Sequence, residues 1–282
     1  MHIYSREADF LHAQEQAELQ NKMAASDFSM QVFNAEQCLQ KEPTLRHADK
    51  TIIGGIFCPM DESGDAHLFS RDLAGVCTRE FKAQFHYNRT IRSIETNKGR
   101  ITGIITDKGE MRADAYVMSL GSYSYIYLKQ IGITVPIYPM KGYSISLPIG
   151  KYHPTVSLTD NETKVVITPL GERLRAAGTA EFAGYNTDLS ERRIAPILHA
   201  TQQLFPHADY SEATLRKWAC LRPSTPDGPP IIGTCKYENL FLNTGHGTLG
   251  WTQAAGSASL LADIMENRPT EIAMTGLILD RY

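Results

Sequence analysis

The 282-residue sequence predicts a mixed fold in which strands and helices alternate, built as parts that are discontinuous along the chain. Three observations lead there. Between Leu68 and Phe81, apolar residues recur at helical spacing, whereas the stretch from Phe85 to Leu120 holds β-type runs punctuated by turn sequences. Close to the end of the sequence an apolar run, Asn239 to Thr244, passes into a glycine-rich turn and then a helical pattern. Hydrophobic residues make up 42% and charged residues 21%, a balance that supports a folded core at this length.

Residues 5 to 24 are rich in Ala, Glu, Gln and Leu and lack Gly and Pro, so they predict a polar, exposed helix with Ser5 able to cap it. A short strand, Met30 to Phe33, follows. Asn34 with Gln37 three residues on forms a capping-box pattern for a brief helix that must stop before Pro43. Thr51 to Phe57 reads as a strand. From Leu68 to Phe81, Leu73, Val76, Cys77 and Phe81 share one face of an amphipathic helix, with Arg71, Asp72, Arg79 and Glu80 on the other. Three β-type runs between Phe85 and Leu120, separated at Asn97 to Gly99 and Asp107 to Gly109, read as a three-stranded meander. Its third run, Ala115 to Leu120, ends at Gly121 and Ser122, where backbone could approach a ligand closely or the strand could simply exit. Further strands are expected at Ile137 to Leu147, Lys164 to Thr168, Arg173 to Gly178 and Thr214 to Cys220, with a helix from Ser190 to Phe205 among them and a last helix from Trp251 to Asn267.

A net charge of −3 gives no basic field for phosphate backbones, so nucleic acid is excluded as a partner. The five cysteines are odd in number and scattered, without a C-x-x-C pair, which argues against a disulfide framework or a zinc knuckle. No secretion signal opens the sequence and no apolar run reaches the length of a membrane span. The expectation is a cytoplasmic protein whose only membrane association would be peripheral, on the inner face.

The residues with chemical content are few. Gly245-His246-Gly247-Thr248-Leu249-Gly250 matches G-x-G-x-x-G between a predicted strand and a predicted helix, with Glu271 about 20 residues on. Converging backbone N–H groups and the helix dipole suit such a loop to a negative group. The short stretch beyond it is too little to complete a doubly wound sheet, and a tight strand-to-helix turn is the plain alternative. Arg222 ends a β-type run before a proline-rich turn, Pro223 to Pro230, which suits a guanidinium fixed for bidentate grip of a carboxylate, or else a surface arginine at a loop entry. Asp61, Glu62, Asp65 and His67 read as a turn rather than a metal site, and the absence of G-x-S-x-G argues against a hydrolase. No metal is expected.

Six blocks in order carry a resemblance. They are Gly54 to Phe69, Leu120 to Ser124, Tyr138 to Ser144, Gly178 to Gly184, Leu221 to Gly228 and Asn243 to Thr252. Together they resemble the D-amino-acid oxidase and glycine oxidase family of FAD-dependent oxidoreductases, within it the bacterial D-amino-acid dehydrogenases, from the first residues nearly to the last. The resemblance implies an α/β fold: a partial, Rossmann-like FAD-binding domain of the glutathione-reductase type and a mixed β-sheet substrate domain. It divides the chain into substrate-domain residues 1–68, FAD-domain residues 69–132, substrate-domain residues 133–228 and FAD-domain residues 229–282.

The implied reaction is oxidative deamination of an amino acid, with the α-hydrogen passing as hydride to the flavin. The cofactor is FAD, and the partners are a small amino-acid substrate and a quinone or other electron-transfer acceptor. By the same resemblance Gly245, His246, Gly247, Thr248, Leu249 and Gly250 face the pyrimidine edge of the isoalloxazine, where negative charge develops on reduction. Ile91 meets adenine through its backbone, Gly121 and Ser122 lie near ribose and pyrophosphate, and Arg222 holds the substrate carboxylate. Val166 stands where glycine oxidase has a carboxylate-binding tyrosine, leaving Tyr143 as the candidate second contact. The family's first strand–GxGxxG–helix unit has no counterpart in the sequence. That leaves two expectations: an active dehydrogenase completed by a separate N-terminal FAD-binding segment, or a catalytically silent module of the same fold.

Overall fold

The computed structural model describes residues 1–24 and 29–282. The chain opens with β1 (His2–Tyr4), α1 (Glu7–Met23), β2 (Gln31–Asn34), α2 (Ala35–Lys41) and β3 (Gly54–Phe57). The polar sequence of α1 buries Ala17 alone. Its N-cap is Arg6, which makes no side-chain cap bond, so the expected cap at Ser5 does not form. The capping box does: Asn34 Oδ1 accepts from Gln37 N, and Gln37 Oε1 accepts from Asn34 N, both at 2.9 Å. After α2 the chain turns through a 3₁₀ segment, Pro43–His47.

Next come α3 (Ala66–Phe81), β4 (Ile91–Asn97), β5 (Arg100–Thr106), β6 (Gly109–Met111), β7 (Tyr116–Met118) and α4 (Ser124–Gln130). The meander is real, but its third strand is the short β6, which pairs β5 through Ile104 and Met111. The run expected to complete it instead supplies β7, which pairs β14 (Leu240–Thr244) in parallel, Tyr116 opposite Leu240 and Met118 opposite Leu242. The reason is local: Asp107 to Gly109 is a tight hairpin, so only residues next to it can pair β5, and Ala113 to Ala115 carry the chain away. The helix at α3 forms as its spacing predicts. Its apolar face is not buried, with Leu73 46% and Phe81 76% exposed.

The remaining elements are β8 (Tyr138–Pro148), β9 (Leu158–Asp160), β10 (Val165–Leu170), β11 (Arg173–Phe182), α5 (Glu191–Leu204), β12 (Arg216–Ser224), β13 (Ile231–Thr234), β14 and α6 (Gly250–Met265). The chain divides into two compact units. The first comprises Met1–Asp65, Gly142–Glu181 and Thr187–Cys220, and the second Ala66–Lys141, Phe182–Asn186 and Leu221–Tyr282. The segment 133–228 is therefore shared between them.

The first unit is built on a mixed sheet in the order β12-β8-β11-β10-β9-β1-β3-β2, with β1 parallel to β9 and antiparallel to β3. Tyr143, Ile145 and Leu147 alternate along β8 into its core, where they pack with Ile167, Ile194, Ile197 and Leu204. That core is locked at one rim by Glu42, which is fully buried. Its carboxylate accepts from Thr44 N and Oγ1 and from Thr155 N, Thr155 Oγ1 and Val156 N, at 2.6–3.3 Å. The second unit holds two three-stranded sheets, β13-β14-β7 and β4-β5-β6. Ile231, Leu240, Leu242, Tyr116, Met118 and Leu128 fill one core, and α6 packs Leu260 and Leu261 on Ile232. Among the described residues no helix is long and apolar enough to cross a membrane.

Candidate functional site

Two glycines mark the site. Strands β7 and β14 run parallel and side by side, and each passes at its carboxyl end into a glycine with positive φ, Gly121 at +55° and Gly245 at +82°. Carboxyl ends of parallel strands are where α/β sheets bind ligands, because the backbone turns away there and leaves a crevice. The two ends are tied together. Thr244 Oγ1 lies 3.2 Å from the Gly121 carbonyl and 2.9 Å from Ser124 Oγ, and both hydroxyls are buried.

The third strand end belongs to β12. Ser122 Oγ donates to the Leu221 carbonyl at 3.1 Å, and Gly247 N donates to the Pro223 carbonyl at 2.9 Å. Ser224 bridges His246. Arg222 is thus held between Leu221 and Pro223, each anchored to a glycine turn. The structure brings together Gly121, Ser122, Arg222 and the loop Gly245 to Gly250, which the sequence leaves scattered over some half of its length. Strand β12 runs on to Ser224, so Arg222 lies within it rather than at its end; Pro223 is tolerated because β12 is an edge strand.

Ile91 opens β4, and its carbonyl accepts from Tyr127 Oη at 3.2 Å. Tyr127 stands on α4, the helix that follows Ser122, so Ile91 is linked to the same turn. Tyr143, on β8, belongs to the first unit, is fully buried, and donates its hydroxyl to Glu181 Oε2 at 2.5 Å. Asp61, Glu62 and Asp65 lie in the loop before α3, and among the described residues no group of three or more His, Cys, Asp or Glu is placed to hold a metal. All five cysteines are free thiols.

The loop leads into a helix start without a side-chain cap. Helix α6 begins at Gly250, its N-cap Leu249 makes no side-chain cap bond, and no acidic residue occupies the first turn. The first N–H groups of a helix have no intrahelical partner, so the amides at Gly250, Trp251 and Thr252 are available donors at the positive end of the dipole. Beside them lies an open cleft of about 570 Å³, walled by Thr225 and Gly228 to Pro230 on one side and His246 to Leu249 with Gln253 on the other. Two of its lining residues carry a buried polar atom with no hydrogen-bond partner among the described residues, His246 Nε2 and Gln253 Oε1; Asn243 Oδ1, on β14, is a third such atom outside the lining. Buried orphans of this kind are costly and call for a ligand or water. Burial lowers the His246 pKa, so its imidazole is neutral at pH 7.

Sequence reasoning missed Thr225, Thr244, Tyr185 and Gln253. Tyr185 donates to the Ser122 carbonyl at 2.9 Å and fixes that turn from above. Thr244 had a signal, since it takes the inward position of β14 after Leu240 and Leu242, where a hydroxyl needs a polar partner. Gln253 had none, because only the fold makes its amide an orphan.

The profile of the DAO family, described as FAD dependent oxidoreductase, matches residues 2–264. A D-amino acid dehydrogenase of Rhizobium rhizogenes is 43% identical over 262 residues, covering 92% of this chain and 62% of its own length. Another from Granulibacter bethesdensis is 47% identical over 255 residues, covering 89% and 60%. The chain therefore spans about three fifths of the length of these relatives. Among solved structures, glycine oxidase from Geobacillus kaustophilus matches all of this chain and 74% of its own with a TM-score of 0.87 at 20% identity. L-proline dehydrogenase from P. horikoshii matches 95% of this chain with a TM-score of 0.80 at 17% identity, a likeness of fold. The strand-end glycine turns thus sit in the α/β fold of flavin-dependent oxidases, and the chain belongs to the DAO family of FAD dependent oxidoreductases.

Proposed function

We propose that the protein takes part in the FAD-dependent oxidation of D-amino acids to 2-oxo acids and ammonia. The observation that carries this is the strand-end site itself, where an uncapped helix N-terminus, the loop Gly245 to Gly250 and Arg222 are held together by named hydrogen bonds. The sequence likeness to D-amino acid dehydrogenases supports the substrate class.

The residues present fit the pyrimidine edge of a flavin. Free amides at the start of α6 are donors for its carbonyl oxygens, and the orphan His246 Nε2 and Gln253 Oε1 are partners for a polar heterocycle. Bound there, the flavin supplies a two-electron acceptor for the substrate's α-hydride. Gly121 and Ser122 lie near its ribose and pyrophosphate in this reading, and the backbone at Ile91 near its adenine. Arg222 grips the substrate carboxylate as a bidentate fork and so fixes the direction of the Cα–H bond, a proximity effect. The neutral amine's lone pair would become the second C–N bond of an iminium product as hydride leaves, so no side chain need act as base, and water then hydrolyses the iminium to the 2-oxo acid and ammonium. Tyr143 stays the candidate second substrate contact, though its hydroxyl already serves Glu181.

In the same proposal the second unit takes the FAD-domain role and the first the substrate-domain role. A further polypeptide segment completes the flavin site, and a quinone or electron-transfer partner reoxidises it. Two observations support the segment: the apolar face of α3 is exposed, and β7 is an edge strand of its sheet. The relatives are longer than this chain by a corresponding measure.

The test is Arg222→Ala in the assembled, active protein. Removing a charge-assisted bidentate contact from a desolvated pocket costs about 2–5 kcal/mol, roughly 30-fold to several thousand-fold in kcat/KM, with the flavin spectrum nearly unchanged. Lysine restores part of it, as a point charge without the planar fork. Near wild-type turnover of D-amino acids by Arg222→Ala would overturn the carboxylate assignment.

A further inference from the structure

The cleft beside the glycine loop has one wall that cannot hold itself. The turn Pro226 to Pro230 contains three prolines, which have no backbone N–H, so only Asp227 and Gly228 can donate within it. Its carbonyls and its one carboxylate need donors from elsewhere. Thr225 Oγ1 serves one of them, donating to the Pro229 carbonyl at 2.9 Å.

Arg281 supplies further donors. Its Nε donates to Asp227 Oδ2 at 2.8 Å, its Nη2 to the Pro229 carbonyl at 2.7 Å, and its Nη1 to the Pro230 carbonyl at 3.1 Å. The guanidinium side chain is only 11% exposed, and Tyr282 adds its hydroxyl to the other oxygen of Asp227. The segment that brings Arg281 there runs back along β13, where Ile232 N donates to the Leu277 carbonyl at 2.8 Å and Leu277 packs beside Leu260. Arg281 lies beyond residues 2–264, which the family profile matches.

The turn in turn sets the loop. Thr225 is buried, and a Cβ on Gly245 would stand 2.9 Å from its methyl carbon, so the Gly245 backbone lies close against the Thr225 side chain. Two residues earlier the Pro223 carbonyl holds Gly247 N, and Arg222 is the next residue back. We propose that Arg281 is a positioning residue: by clamping Asp227 and the carbonyls of Pro229 and Pro230, it fixes the register of the glycine loop and the direction of Arg222. That the loop serves a flavin rests on the function proposed above; the clamp itself does not.

The experiment is hydrogen exchange on the full 282-residue chain, comparing wild type with Arg281→Ala and Arg281→Lys, without flavin. The clamp predicts that Gly247 N and the amides of the loop exchange at least about tenfold faster in Arg281→Ala, the range expected when a charge-assisted bond is lost. Strand β10, in the first unit, stays unchanged. Lysine, which reaches one acceptor but cannot span the carboxylate and two carbonyls, falls between. Unchanged exchange at Gly247 overturns the clamp, and so does a uniform rise across all of the second unit, which would mark a merely structural arginine. A second readout separates the two readings. In the assembled flavoprotein, Arg281→Ala should shift the flavin absorbance and raise KM for the amino acid more than it lowers kcat. A loosened loop with an unaltered flavin spectrum leaves the clamp standing and removes the loop from the flavin.

Discussion

Replacing Gly245 by alanine tests the close packing on which the site depends. Two costs add. At φ +82° a Cβ meets the following carbonyl, which costs an L-residue about 1–2 kcal/mol. The new methyl would also lie 2.9 Å from Thr225 Cγ2, and Thr225 cannot simply rotate away because its hydroxyl is bonded to the Pro229 carbonyl. Forcing a methyl into such packing costs about 1–3 kcal/mol, for a total of about 2–5 kcal/mol. Gly247 is the internal control: its φ is +53° but nothing lies near its would-be Cβ, so alanine there costs only the backbone strain of about 1–2 kcal/mol. Urea unfolding followed through exchange of the β14 amides measures both. Thr225→Ser removes the offending methyl while keeping the hydroxyl, and should recover about 1 kcal/mol of the Gly245→Ala loss in a double-mutant cycle. Equal costs at the two glycines, or strict additivity with Thr225→Ser, would refute the packing argument.

Other outcomes follow from single contacts. Arg281 and then Tyr282 hold the Asp227 carboxyl down at about 2, against an ordinary value of 3.8. A depressed carboxylate stabilises the fold above its unfolded pKa and loses that contribution as pH falls through its folded one, so the stability gap between wild type and Asp227→Asn should be full at pH 6 and close between about pH 4 and pH 2. A gap that persists at pH 2 contradicts it. Glu42→Gln turns one acceptor oxygen into a donor facing donors in a fully buried site, and should cost on the order of 3–5 kcal/mol in chemical denaturation; a loss under about 1 kcal/mol would mean the five bonds are not made. The 282-residue polypeptide alone should bind FAD weakly, because the loop Gly245 to Gly250 is its one glycine fingerprint; a yellow protein with one FAD per chain after purification would reverse that expectation.

Much of this was legible in the residues. The Asn34 and Gln37 capping box, the helix over α5 and the strand–glycine–helix unit at β14 and α6 are set by neighbours in sequence, and local chemistry was enough to find them. Pairing between distant segments was not. The tight hairpin at Asp107 to Gly109 limits what can pair β5, but nothing within Ala115 to Leu120 shows that it will lie parallel to β14, because that partner is more than a hundred positions away. Strand β13 was hidden by the prolines before it, and α4 by the 3₁₀ turn Gly121–Tyr123 that leads into it. The exposed face of α3 shows the same limit from the other side: periodicity reveals which residues want burial, not whether the chain at hand buries them. At the candidate site, the glycines and Arg222 stand out in the sequence because few other residue types suit such turns or a carboxylate fork, whereas the contacts of Thr225, Gln253 and Arg281 come from neighbours that only folding supplies.

We propose that D-amino acids are oxidised at the cluster of Arg222 and the loop Gly245 to Gly250 once the flavin site is completed. The most direct test is an anaerobic titration of the assembled flavoprotein with a D-amino acid and with its L-enantiomer, watching the oxidised-flavin absorbance. The account predicts stoichiometric bleaching by the D-enantiomer, with release of ammonia, little bleaching by the L-enantiomer, and loss of the D-response in Arg222→Ala. A flavin that stays oxidised with D-amino acids, or that Arg222→Ala bleaches as readily as wild type, would contradict it.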